Sequence, residues 1–387
     1  MSAVRLGSLL MDVQAGFATG ESLEHGGVLQ VRMNNVEIDG SWNWDGKRRV
    51  PVTAKQLERC RLLANDVLFN ATNSPELVGK SALYTEVGED VVFSNHFLRL
   101  RVDPARLAPN FLAHWLRSQW RQGLFKALCN AWVNQASVRK ETLLDLAIRL
   151  PSLREQQYIA SILDKADTLH RKRQESIRLT GDFLRAAFYE LFGDPVANGK
   201  EWPERAIFEV GTVTTGNTPS RDVAAYFGDA IEWIKSDNIN TPSHWLTKAR
   251  EGLSELGATV ARTAPTGSTL MTCIAGSPAC IGNVAMSDRT VAFNQQINAV
   301  TPIAGVEPEF LYALLLFSKS RIQAKATSSM KGMVSKGVLE KVRLIWPPVE
   351  MQMKFVKLFK KANQVRLDME EADGSPLITV LQDKLFT

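Results

Sequence analysis

Apolar positions along this chain follow two rhythms. Short runs such as DVVFSNHFLRLRV (90–102), interrupted by the turn signals NSPE, GSPA and GNTPS, predict small β-rich regions over 1–150 and 200–346. Within those regions, PNFLAHWLRSQWRQGLF and PEFLYALLLFSKSRIQA each open on Pro and carry apolar residues three and four apart, which predicts helices. A third pattern runs from about Pro151 to Phe192. There Leu163, His170, Ile177, Leu184 and Leu191 recur every seven residues, supported by Ile159, Ile162, Ala166, Leu169 and Ala187, and predict a long helix with a seam for a second one. A helix of ~40 residues extends roughly 60 Å, more than a compact domain of this size uses internally.

Self-comparison shows that the pattern occurs twice. Val138/Val334, Lys140/Lys336, Leu143/Leu339, Pro151/Pro347, Gln156/Gln352, Lys165/Lys361 and Ala166/Ala362 all lie 196 positions apart. Upstream the offset drifts to 199 at Phe111/Phe310, 200 at Phe93/Phe293 and 203 at Trp42/Trp245, as loops of unequal length require. The chain therefore reads as module, helix, module, helix, with each module α+β and FGDPVANGKEWPE as the linker into the second. Two like helices packed antiparallel as a coiled coil would relate the halves by an internal pseudo-two-fold. The second copy departs at DGSPLITVLQ, where Gly374 and Pro376 predict a break and restart; Gly181 near the matching point suggests a weaker kink.

Composition adds limits. With 387 residues, 45% hydrophobic and 22% charged, the chain is a folded protein of two or three domains. Its net charge of +5 permits a polyanionic partner without demanding one. Four scattered cysteines (Cys60, Cys129, Cys273, Cys280) and five histidines without ligand spacing point to a reducing cytoplasm and no structural zinc. No leader pattern or membrane-spanning apolar run is expected.

Catalytic signatures are missing. There is no G-x-x-x-x-G-K-[ST] and no G-x-G-x-x-G, and Pro347-Pro348 lacks the polar and aromatic neighbours of an amino-methyltransferase motif. No Glu is followed two residues later by Lys, against a PD-ExK-type nuclease. Ser137-x-x-Lys140 matches S-x-x-K, but its copy carries Met333 in place of the serine and no companion motif accompanies it.

The stretch LPSLREQQYIASILDKADTLHRKRQESIRLTGDFLRAAFYELFGDP resembles the central conserved region of the DNA-specificity subunit of type I restriction-modification enzymes. The resemblance covers the whole chain in architecture, most strongly at Pro151–Pro195 and more weakly at Val334–Phe386, where W-P-P-V-E-M-Q places Met351 at the position of Glu155. It implies target-recognition domains at 1–150 and 196–346, a central conserved helical spacer at 151–195 and a C-terminal conserved helical region at 347–387, broken near 374–376. It further implies a non-catalytic subunit in phage defence that binds double-stranded DNA at a bipartite asymmetric target. Two modification subunits would bring S-adenosylmethionine and adenine methylation, and restriction subunits ATP, Mg and cleavage; no cofactor is expected in this chain.

A recognition module should combine phosphate contacts, which position, with base contacts, which specify. The candidates are Arg32, Asn34, Asn35, Arg48, Arg49, Asn73, Asn134, Gln135, Arg139 and Lys140 in the first module, and Lys235, Asp237, Asn238, Ser277, Lys331 and Lys336 in the second. For partner docking the helix starts offer Glu155, Gln156, Ile159 and Leu163, with Gln352, Phe355 and Phe359 in the copy. The repeated Trp42 and Trp245 fit core packing better than stacking at an interface. Two rivals stay open: a stand-alone restriction enzyme or methyltransferase, which the missing motifs oppose, and a coiled-coil adaptor whose modules bind proteins.

Overall fold

The structure, a computed structural model, describes residues 3–132, 135–327, 332–371 and 386. The chain divides into two compact units. The first runs to Gln174 and includes Phe386; the second is Glu175–Glu371.

In the first unit the central sheet is built from β1 (Leu10–Ala15), β2 (Val67–Asn70), β3 (Ser81–Leu83) and β4 (Phe97–Val102), in the order β1-β4-β2-β3 and antiparallel throughout. Every residue of β2 is buried. That follows from its two covered faces: Val67 and Phe69 point to a core closed by helix α1 (Pro109–Arg121), while Leu68 points to a second core around Val31, Tyr84 and Phe93. Strands covered on both sides read as continuous apolar runs, which is why alternation is weak here. The second core includes Val28–Val31, which pairs in parallel with Val91–Phe93.

The second unit repeats this plan. Strands β5 (Gly211–Thr215), β6 (Thr269–Thr272), β7 (Val284–Met286) and β8 (Ile297–Pro302) take the order β5-β8-β6-β7. Trp233-Ile234 pairs in parallel with Ala292-Phe293, as Gln30-Val31 pairs with Val92-Phe93. Each unit also ties its start to the strand before its closing helix, Ala3–Arg5 to Ala147–Arg149 and Glu204–Ala206 to Arg343–Ile345. The duplication inferred from sequence offsets is thus a duplication of topology.

The long helix is α2, Leu153–Phe192, which passes Gly181 without interruption. The boundary between the units falls inside it. Helix α3 (Pro308–Phe317) matches α1, and α4 (Val349–Glu371) matches the start of α2. Within the second unit the end of α2 lies antiparallel along α4: Phe188 and Phe192 meet Phe355, with centroids 5.3 and 6.0 Å apart. Further along, Leu179, Phe183 and Ser176 share a groove with Val365 and Met369. The seven-residue row behaves as a seam, since Leu163 and Leu184 are buried and His170, Ile177 and Leu191 half-buried, but Leu169 points outward. The predicted break at Gly374–Pro376 lies outside the described residues. Among the described residues no helix is long and apolar enough to cross a membrane.

Candidate nucleic-acid interface

Both units build the same polar frame beside the parallel strand pair. Gly16 and Gly216 end β1 and β5, and their amides donate to Phe97 O and Ile297 O. A Cβ at Gly16 would sit 2.3 Å from the Phe93 and Ser94 carbonyl oxygens, and one at Gly216 2.2 Å from Asn294 O, so only glycine lets these backbones meet. Next to them lies a turn, Ser94-Asn95-His96 in one unit and Asn294-Gln295-Gln296 in the other. A short 3₁₀ turn completes the frame, with Arg32 or Lys235 at its start.

Asn35 and Asn238 hold that start in place. The Asn35 Oδ1 accepts from Arg32 N at 2.9 Å while its Nδ2 donates to Asn43 O; Asn238 accepts from Lys235 N at 3.0 Å and donates to Lys248 O. Both are buried. This corrects the expectation that they contact DNA, because their amide groups are spent inside the fold.

In the first unit the frame surrounds a cavity of about 320 Å³. Its lining includes Phe17, Gln30, Arg32, Arg48, Ser94 and His96, and among the described residues no acidic side chain. Arg48 is occupied, donating to Gln30 Oε1, Thr19 O and Glu21 O. Arg32 Nε, Ser94 Oγ and His96 Nδ1 are buried without a hydrogen-bond partner among the described residues. Orphaned polar atoms are costly away from water, and all three belong to residues that line this one cavity. Of the three residues only Arg32 was picked out by sequence. Ser94 and His96 sit in a turn between buried strands, and the resemblance of FSNHFLRL to FNQQINAV was the available signal.

The second unit fills the matched positions differently. Glu251 stands where the first unit has Arg48: Trp233 N bonds to Glu251 O as Gln30 N bonds to Arg48 O. Its carboxylate accepts from Lys235 Nζ at 2.6 Å and Arg221 at 2.9 Å, bonds that hold it below the usual carboxylate range. Lys235 and Arg221 also lie over the Trp233 ring, at 5.0 and 5.4 Å.

The remaining candidates scatter. Asn34, Gln135, Arg139, Asp237 and Ser277 are exposed. Lys140 is exposed but bonds to Val13 O, and Lys336 pairs with Glu340 at 3.6 Å on its own helix. Arg49 pairs with Glu89 at 2.7 Å, and Asn73 is tied to Asn70 and Ser74 N. Asn134 and Lys331 lie outside the described residues.

On the helices, the docking candidates turn inward. Gln156 is fully buried, accepting from Ala108 N at 2.9 Å and donating to Arg106 O and Pro151 O. Gln352 donates to Pro347 O at 2.8 Å. Leu163, Phe355 and Phe359 are core residues and Ile159 packs against the core, so these side chains fasten each helix to its own unit rather than present a surface. Glu155 is exposed, with its carboxylate engaged by Ser152. The large apolar side chains that α2 and α4 do expose include Tyr158, Leu169, Leu179, Phe183, Val349 and Val365. Leu179, Phe183 and Val365 line an open apolar groove of about 460 Å³ in the second unit. As the repeated tryptophans suggested, Trp42 donates to Leu83 O and stacks on Trp44, and Trp245 donates to Asn363.

Comparison with known proteins places this frame in context. The family model described as type I restriction modification DNA specificity domain matches residues 47–179 and 199–373. The type I restriction enzyme MjaX specificity subunit of Methanocaldococcus jannaschii is 24% identical over 328 residues, 80% of this chain and 74% of that one. The HindI specificity subunit of Haemophilus influenzae is 28% identical over 175 residues, 41% and 36% of the respective chains. The crystal structure of a type I restriction-modification S subunit from M. genitalium superposes with a TM-score of 0.66 at 15% identity, covering 100% of this chain and 96% of the other. A chain from a structure concerned with complex assembly and conformational transition of the type I R-M system gives 0.53 at 18%, covering 99% and 96%. At these identities the two structures speak for the fold alone.

Proposed function

The chain belongs to the type I restriction-modification DNA-specificity family, and from that premise we propose that each of its two units reads one half of a bipartite, asymmetric duplex target. As a specificity subunit it is a DNA-recognition and scaffolding component and not an enzyme. The catalytic work falls to partners in the cytoplasm: two modification subunits that methylate adenine with S-adenosylmethionine, and restriction subunits that use ATP and Mg²⁺. The observation that carries the reading is one backbone frame built twice with different polar side chains at matched positions, Arg32/Lys235, Arg48/Glu251 and His96/Gln296. A duplicated scaffold with divergent polar chemistry suits two different half-sites. DNA contacts would draw on Arg32, Asn34, Gln135, Arg139 and Lys140 in the first unit and Asp237, Ser277 and Lys336 in the second. Docking would use the apolar residues that α2 and α4 leave exposed.

Two measurements test this. Methylated adenines mapped in cells expressing the chain with its modification subunits should fall in one split sequence, and the purified chain alone should methylate nothing. Duplex binding should weaken ~1,000-fold or more between 50 and 200 mM salt, as release of counterions from 6–10 contacted phosphates requires. Salt-independent binding, or turnover by the isolated chain, would sink the proposal.

A further inference from the structure

We propose that the Arg32 cavity of the first unit is a base-reading site that takes the acceptor edge of a guanine, its O6 and N7, with Arg32 as the specificity-determining donor. The inference rests on the DNA-recognition reading above and goes beyond it by naming a pocket, a residue and a base.

Three observations carry it. Among the described residues the cavity lining holds two guanidinium groups and no carboxylate, so it suits a ligand rich in acceptors. Arg48 is already committed to Gln30 and two carbonyls, which leaves Arg32, whose buried Nε has no partner among the described residues, as the available fork. Ser94, 6% exposed, lines the same cavity, and its buried Oγ has no hydrogen-bond partner among the described residues. In the major groove guanine alone presents two adjacent acceptors, and a bidentate arginine is their commonest partner. Phe17 supplies an apolar wall beside them.

A DNA phosphate would also accept from Arg32, and the copy keeps a cation at the matched position, Lys235, while the neighbouring position changes from Arg48 to Glu251. The two ligands differ in response: a phosphate contact strengthens binding to every sequence alike, whereas a base contact follows one guanine.

The test uses the complete methyltransferase complex. The wild-type complex first gives the two half-sites. With Arg32→Gln, one half-site should lose its preference at a single guanine while the other half-site is unchanged. Replacing that guanine by 7-deazaguanine in a duplex should weaken wild-type binding about tenfold and have little further effect on the variant, the size expected for one lost base contact. Ser94→Ala, a smaller change, should disturb the same half-site, and the base-analogue arm on wild-type protein decides the matter if Arg32→Gln fails to fold. Three results overturn the proposal: half-sites in which no 7-deazaguanine substitution weakens binding, uniform weakening with sequence preference intact (the mark of a phosphate contact), or altered preference in both half-sites. A wild-type complex with no sequence-specific methylation is a different failure and would reject the DNA-recognition reading itself.

Discussion

His244 shows how single residues set the limits within which this protein folds. Its Nδ1 lies 2.8 Å from the Tyr312 hydroxyl, and its ring packs against Tyr312 and Phe359 at 5.7 and 5.8 Å. Burial, and then the charge of Arg366, push its pKa down to about 4. An unfolded histidine takes its proton near pH 6.5, whereas this one resists until about 4, so acidification across that interval favours the unfolded chain. Stability that is complete above pH 6.5 is lost as pH falls to 4, by roughly 3 kcal/mol at most. His114, whose pKa burial also lowers, adds a loss of the same sign in the first unit. Urea unfolding at a series of pH values should therefore show a slope between pH 6.5 and 4 that is shallower in His244→Gln. An unchanged slope would mean that the imidazole is solvated and titrates normally.

At the scale of elements, the two long helices begin by different means. In α2, Ser152 and Glu155 form a reciprocal capping box: the carboxylate accepts from Ser152 N at 2.9 Å, and Ser152 Oγ accepts from Glu155 N at 3.4 Å. The copy has lost both partners together, with Pro348 and Met351 at the matched positions. Gln156 and Gln352 persist because their task is different, holding backbone groups of the preceding segment. Ser152→Ala should thus cost about 1 kcal/mol. Gln156→Ala should cost more, roughly 1–3 kcal/mol, because it strands the buried Ala108 N–H. Amide hydrogen exchange at Ala108 reads the difference directly; equal protection in the variant would refute the assigned role. The same residues show what periodicity can and cannot say. The span of α2 is legible because side-chain burial follows its seven-residue row, and the modules are legible because offsets near 200 survive drift in the loops. Gln156, Asn35 and Asn238 turn inward where the sequence offers them as contacts, because a polar side chain near a helix start looks alike in sequence whether it points outward or back onto the backbone. Ser94 and His96 went unseen because their importance lies in partners they lack. The repeat also conserves geometry while exchanging chemistry, as Asn110 with Asp164 becomes Glu309 with Lys360.

For the whole molecule, helix α2 carries the chain from the first unit into the second, and the boundary falls at Gln174–Glu175. Arg171, Lys172, Gln174 and Glu175 are all exposed there, so the helix can be lengthened at this point without cutting into either core. If each unit reads one half-site, recognition and spacing are separate properties: the first resides in frames such as that around Arg32, the second in the helical connection. Four added residues continue a helix by about 6 Å. Duplex DNA rises about 3.4 Å per base pair, so the permitted gap between half-sites should grow by one or two base pairs, with both half-site sequences unchanged. Methylome mapping with the lengthened chain measures both quantities at once. A new half-site sequence would show that the helix helps to shape the reading frames. An unaltered gap would show that the spacing is set elsewhere, by the partner subunits or by the C-terminal segment that follows α4.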